Sequence, residues 1–283
     1  MTPASPLLPL VRLLQWCSPT LPVGGFSYSQ GLEAAVESGW VTDAASAGRW
    51  IGDVLAGPVG SVEAAFLARF LDLWGAVTTV ADTAELAALH ALDAAFQATR
   101  ESAQLLAESR QMGWSLLSLV HGLPQESLGT GWPVRALLLR QLVQQASAEG
   151  SQPSFLLVWA ALASATDLPA EQAVLAWLWS WLENQVMAAL KTVPLGQNAG
   201  QALLLQLGAR LPPLAEAAVA ARWVATTRQL AGQAAGQAAG QATVAWPSCL
   251  ADPLPDDGPG NYAPGFGLAC AQHETQYSRL FRS

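Results

Sequence analysis

The chain has 283 residues, enough for one large domain or two small ones with a substantial buried core. Apolar residues make up 52% against 12% charged, which excludes a disordered chain. The net charge of −8, with no basic stripe to neutralise phosphates, excludes nucleic acid as the main partner.

Alanine, leucine and glutamine dominate while β-branched residues are sparse, a balance that predicts helix throughout. Met1 to Pro9 holds three prolines and no basic start, which is not the pattern of a signal peptide. Leu7 to Trp16 reads as a short helix with Leu10, Leu13 and Leu14 on one face. The run from Ser18 to Gly25 carries two prolines and a glycine pair and must be a loop. Ser27 then looks like an N-cap, with Gln30 three residues on as in a capping box, opening a helix that ends near Gly39.

Further helices are expected at about 44–55, 60–74, 83–98, 99–121, 132–149, 153–165, 170–192, 197–210 and 213–231. In the stretch from Arg100 to Val120, Leu105, Leu106, Ser109, Met112, Leu116, Leu119 and Val120 share a face, opposite Glu101, Gln104, Glu108 and Gln111. Trp177 and Trp181 lie on one side of their helix and Trp179 on nearly the other, predicting burial on several sides. The apolar run from Ser154 to Thr166 is too short for a bilayer, and no membrane span is expected. With no strand pattern, the expected fold is all-α, a single multi-helix bundle.

Ala231 to Ala242 repeats Gly-Gln-Ala-Ala, and a Pro/Gly-rich run follows from Pro247 to Gly267. The organisation expected is a helical domain over 1–231, a linker over 232–268 and a C-terminal tail over 269–283. The tail regains charge and aromatic side chains, as a docking segment or a frayed terminus does. Behind such a tether few contacts would hold it, so it is expected to be poorly ordered alone.

Enzyme signatures are missing. The single lysine, Lys191, follows Ala-Ala-Leu on a helix rather than the glycines of a phosphate-binding loop. Gly25-Phe26-Ser27-Tyr28-Ser29 lacks the second glycine of a nucleophile elbow, and Tyr277 stands where His273-Glu274 would need a second histidine to hold zinc. Asp252, Asp256 and Asp257 sit in a Pro-rich loop that fixes no acid pair. Cys270 and His273 suit Ni²⁺ as ligand types but are only two, while His90 and His121 are isolated. The three cysteines, Cys17, Cys249 and Cys270, form no disulfide framework and fit a reducing cytoplasm. The composition, apolar with few flexible charges, suits protein–protein association; the alternative reading is a biased genome composition that swaps lysine for arginine.

Three blocks are more than generic helix. Leu14-Gln15-Trp16-Cys17-Ser18-Pro19-Thr20-Leu21-Pro22-Val23-Gly24-Gly25-Phe26-Ser27-Tyr28-Ser29-Gln30-Gly31-Leu32-Glu33 closely resembles the N-terminal signature of the UreF family of urease accessory proteins. Lys191 to Gln201 is similar to a third recurrent block of that family, and His273 to Ser283 to its C-terminal signature. The Gly-Gln-Ala-Ala repeat departs from the shorter connection usual there. The resemblance implies an all-α homodimer without catalytic activity. It also implies a complex with the UreD/UreH accessory protein and the GTPase UreG that loads nickel into apo-urease, with no cofactor held stably by this chain.

The residues of the three blocks allow bland readings as well. The Pro19–Gly25 loop is either a rigid corner or a contact surface; the resemblance favours contact, with Tyr28 and Glu33 as exposed candidates. Lys191 near a helix end also serves the helix dipole, and Gly196 and Gly200 permit close helix approach. Tyr277, Leu280 and Phe281 fall at i, i+3, i+4 with Arg279 and Arg282 beside them, a composition found at interface hot spots. The partner-binding set expected is thus Tyr28, Glu33, Lys191, His273, Glu274, Tyr277, Arg279, Leu280, Phe281 and Arg282. The competing reading has Arg279 or Arg282 entering the partner's site to accelerate GTP hydrolysis.

Overall fold

The computed structural model describes residues 5–79, 83–129, 131–220, 263–276 and 279–282, and among these there is helix and no strand. The all-α expectation holds. Cys249, the Gly-Gln-Ala-Ala repeat, most of the expected linker and Tyr277 lie outside the described residues.

Helix α1 is Leu8–Trp16, and a single 3₁₀ turn, Gly25–Ser27, follows the loop. Ser27 is not an N-cap. Helix α2 is Leu32–Glu37, and its N-cap is Gly31 at φ 80°, after Gln30 at φ 51°. Two successive left-handed residues turn the chain sharply, and a side chain at Gly31 would also press on Cys270 Sγ, 3.1 Å from the added carbon. Gly39, at φ 74°, closes α2 as the sequence predicts.

Helix α3, Ala44–Val54, opens on a capping box: Asp43 accepts from Ser46 N at 2.7 Å, and Ser46 Oγ accepts from Asp43 N at 3.0 Å. Ser46 Oγ also donates to the Asp43 carboxylate at 2.6 Å, and that bond with the one from Ser46 N holds the carboxyl below its ordinary value. The helix does not stop at 55. Pro58 lacks an N–H and its ring displaces the carbonyl four residues back, so Leu55–Glu63 widens into a π-helical stretch kinked at Gly57 before α4, Ala64–Ala76. The continuous run Ala44–Ala76 has the length and apolar composition to cross a bilayer, but 78% of its apolar window is buried inside the fold, as in a core helix.

Helix α5 is Thr83–Ala98 and α6 is Ala103–His121. Where sequence periodicity suggests one start at 99, Ser102 instead caps α6 by accepting from Leu105 N at 3.2 Å. Helices α7 (Trp132–Ala148), α8 (Phe155–Ser164), α9 (Ala170–Thr192), α10 (Gln197–Gly208) and α11 (Leu211–Ala220) complete the body. Every residue of α8 from Leu156 to Ala163 is buried, and the helix packs against α4 and α6 with α1, α7 and α9 around it. Two indoles tie this centre down: Trp74 Nε1 donates to Leu157 O at 3.1 Å and Trp159 Nε1 to Trp16 O at 3.0 Å. On α9, Trp177 and Trp181 are buried but Trp179 is 41% exposed, so that helix keeps a solvent face.

Ser154 caps α8, and its N–H is also held by the buried Asp93 carboxylate on α5 at 3.3 Å, which accepts from Gln97 at 2.8 Å. Burial pushes the Asp93 carboxyl up to about 6, against these hydrogen bonds. A carboxyl raised in the folded state stabilises the fold most below its unfolded value, and that contribution is lost as pH rises through about 6. The unfolding free energy of the wild type minus that of Asp93→Asn should therefore fall by about 3 kcal/mol from pH ~4 to ~7 in urea titrations. Parallel pH profiles would contradict it.

Helix α12, Pro264–Thr275, begins inside the stretch that reads as linker, with Pro264 at its first position where a missing N–H costs nothing. It packs on α2 and α6. The C-terminal segment is thus part of the helical body, contrary to the expectation of few contacts.

Candidate partner-binding site

Glu33 is the centre of the site. It lies in the first turn of α2 and is buried, not exposed as its sequence position suggests. The carboxylate accepts from the main-chain N–H groups of Leu280 and Phe281, the latter at 2.9 Å, and from His273 Nε2 at 3.1 Å. A buried carboxylate needs such donors, since without them its desolvation is uncompensated. The other ring nitrogen of His273, Nδ1, is 2.9 Å from Gln104 Oε1 on α6, and the ring is fully buried. His273 therefore joins α2, α6 and α12. Beside it, Glu274 accepts from Gln104 N at 3.2 Å and so supplies the start of α6 with an acceptor.

Residues 279–282 are not helical, and that changes the stripe read from the sequence. Offering two consecutive N–H groups to one carboxylate requires an open backbone, so Leu280 and Phe281 diverge: Phe281 is buried and Leu280 is 63% exposed. Arg282 N donates to Ser27 O at 2.7 Å, and its guanidinium is hydrogen-bonded to the Tyr28 phenol. Tyr28 is itself buried, another correction, because this segment covers it; burial pushes its phenol up and the Arg282 contact pulls the other way. Arg279 is exposed and turned back onto its own chain, donating to Gln276 O at 3.1 Å and Glu274 O at 3.4 Å.

Lys191, exposed near the end of α9, places Nζ 5.4 Å from the centre of the Phe281 ring. Gly200 packs where a side chain would meet Leu190 at 2.9 Å, whereas Gly196 has open space and is not a packing glycine. The three sequence blocks thus meet at one place: α2 with its preceding loop, the end of α9, and the C-terminal segment.

Sequence reasoning missed the polar supports. Gln30 Nε2 donates to Glu108 at 2.7 Å and its Oε1 accepts from Trp181 Nε1 at 2.7 Å, while Asn184 Nδ2 donates to Tyr28 O at 3.1 Å. Glu108 was assigned by periodicity to the polar face of α6 but is buried, because the loop before α2 covers that face. The spacing of Gln104 and Glu108, one turn apart beside an apolar stripe, was the available signal.

As for metal, His273 commits both ring nitrogens to hydrogen bonds, and burial with the charges of Glu108, Glu101 and Glu274 pushes the Cys270 thiol up. That pair offers no open ligand in this arrangement. His90 faces Glu149 at 3.2 Å, and His121 Nδ1 faces Leu117 O at 2.9 Å.

Comparison with known proteins decides the family. The UreF family model matches residues 41–208. The urease accessory protein UreF of Azoarcus sp. (strain BH72) is 44% identical over 99% of this chain and 98% of its own. That of Dechloromonas aromatica (strain RCB) is 43% identical over 98% of each, and that of Pseudomonas fluorescens (strain SBW25) 39% over 97% and 99%.

The chain belongs to the UreF family.

These UreF relatives are named as accessory proteins rather than as enzymes. The family model covers α3 to α10, whereas the pairwise matches run on through the N-terminal block and α12. For a UreF chain, the site predicts a separation of roles at Lys191. Lys191→Ala should leave the melting temperature nearly unchanged, since an exposed cation–π contact contributes only about 0.5–1 kcal/mol. It should weaken assembly with partners; normal binding by the variant would reduce Lys191 to packing on Phe281.

Proposed function

We propose that this chain is a non-catalytic scaffold of the urease maturation complex, joining the UreD/UreH protein to the GTPase UreG so that nickel reaches apo-urease. It works in the cytoplasm as a homodimer, away from membrane and nucleic acid, and holds no cofactor stably. Nickel is handled by the complex.

The observation that carries this reading is the convergence of the three family-like blocks on one surface, with Leu280 held rigidly outward beside a buried Phe281. A well-anchored backbone that presents an exposed leucine, flanked by Arg279 and Lys191, has the make-up of an interface anchor with a charged rim. Activation of GTP hydrolysis through an arginine finds less support, because Arg279 is folded onto its own carbonyls and Arg282 onto Tyr28.

Leu280→Ser separates function from folding. The side chain is largely exposed, so melting should shift by less than about 1 kcal/mol equivalent, yet pull-down of the UreD/UreH protein should fall by about tenfold or more. Unchanged capture by this variant would place the interface elsewhere. The purified chain should also leave GTP unhydrolysed when UreG is absent.

A further inference from the structure

A cleft of about 280 Å³ lies between α5, α6 and the end of α7. Where the partner-binding site takes Gln104 and Glu108 of α6, the cleft takes Leu106 and Arg110, and the two share no residue. The cleft runs on into a shallower groove of about 600 Å³ along α6 and the α7–α8 connection. Leu106, Arg110 and Ser151 line both, so Arg110 stands at the junction.

Arg110 is a half-buried cation without a counter-ion. Its Nε donates to Gln97 Oε1 at 2.8 Å and its Nη2 to Ser151 Oγ at 3.1 Å, both neutral acceptors. None of the ion pairs among the described residues includes it. Gln97 is 9% exposed and is itself fixed, because its amide donates to Asp93 at 2.8 Å and to the Gln152 carbonyl at 2.9 Å. Both bonds of Arg110 leave from the Nε–Nη2 edge of the guanidinium, which frees the Nη1–Nη2 end. Nη1 has no partner among the described residues and is not sealed from solvent. Such an end matches a carboxylate in two parallel charge-assisted bonds, which are stronger in a cleft than in bulk water.

The rest of the cleft selects what the carboxylate carries. Beside Arg110 the walls are Leu106, Leu142, Ala146, Pro153 and Leu157, an apolar lining that suits a hydrocarbon branch. An apolar cavity of ~150 Å³ already holds benzene, so a branch of about four to six carbons fits this larger one. Arg110 is the only arginine or lysine among the described residues lining the cleft, and Asp93 and Glu149 line it too. A phosphate dianion would therefore meet more negative charge than positive, whereas a single carboxylate matches the one guanidinium.

We propose that this cleft binds a monocarboxylate with a branched apolar tail, its oxygens on Nη1 and Nη2 of Arg110 and its tail against Leu142 and Leu157. The acid is either free or the C-terminus of a polypeptide whose preceding residues lie along the groove past Gly150.

The test titrates isocaproate and N-acetyl-Ala-Ala-Leu, each beside its neutral amide, onto the intact chain. The Gln97 side-chain amide and the Ser151 backbone amide are followed by NMR. We expect the acid to saturate with shifts at both positions and to bind at least about tenfold more tightly than its amide, which has the same shape without the charge. Arg110→Gln should remove that tenfold preference and leave the weak binding of the amide as it was. The comparison of acid with amide needs only the unaltered chain, so a variant that folds poorly does not blunt the test. Tighter binding of the tripeptide than of isocaproate identifies a polypeptide C-terminus as the occupant; equal or weaker binding identifies a free acid. Equal affinity for acid and amide, no saturation by either acid, or shifts confined to other parts of the chain overturns the proposal.

Discussion

Replacing Glu33 by alanine should release the C-terminal segment and destabilise the fold more than any other single change at the site. The substitution removes the acceptor of three donors at once: His273 Nε2 and the N–H groups of Leu280 and Phe281. Two of those groups belong to buried residues, and a buried partner left alone costs about 1–3 kcal/mol. Loss of the whole cluster should therefore cost about 3–5 kcal/mol, as when one member of a buried ionic group is removed. Amide exchange at Leu280 and Phe281 should accelerate by about a hundredfold or more, since each decade corresponds to ~1.4 kcal/mol. Glu33→Gln keeps an acceptor and should retain part of the protection. Slow exchange in Glu33→Ala would mean that Phe281 packing alone holds the segment.

Removal of everything after Gln272 should have the largest effect on assembly. It deletes the exposed Leu280 together with the anchors His273 and Phe281, so capture of the UreD/UreH protein should be lost entirely. Melting should also fall. The truncation removes all three donors of Glu33 and uncovers Tyr28, and loss of a buried phenylalanine alone costs about 3–5 kcal/mol. A truncated chain that melts like the full chain would show that the segment is not docked in solution; one that still captures its partner would move the interface onto the helical body.

The helical body was largely legible in the sequence, because its signals are local. The periodic apolar faces and the stop at Gly39 act within a few residues. What escaped was non-local or conformational. Ser27 with Gln30 has the letters of a capping box, but left-handed backbone at Gln30 and Gly31 moves the helix start to Leu32. Gly265 and Gly267 disguised the start of α12 as linker. The burial of Tyr28, Glu33 and Glu108 depends on chain that arrives from far away in sequence, which no window could reveal. Of the residues in the family-like blocks, several act as internal anchors, while Leu280, Arg279 and Lys191 face outward.

The bonds to Glu33 span 240 to 248 positions of sequence. During synthesis at ~5–20 residues per second, this carboxylate therefore waits some tens of seconds after leaving the ribosome before its donors exist. Until then α2 has no lid, and the surface formed by the three blocks is absent. The site thus forms late: a ribosome that stalls in the body releases a chain with helices but without the face on which the three blocks meet.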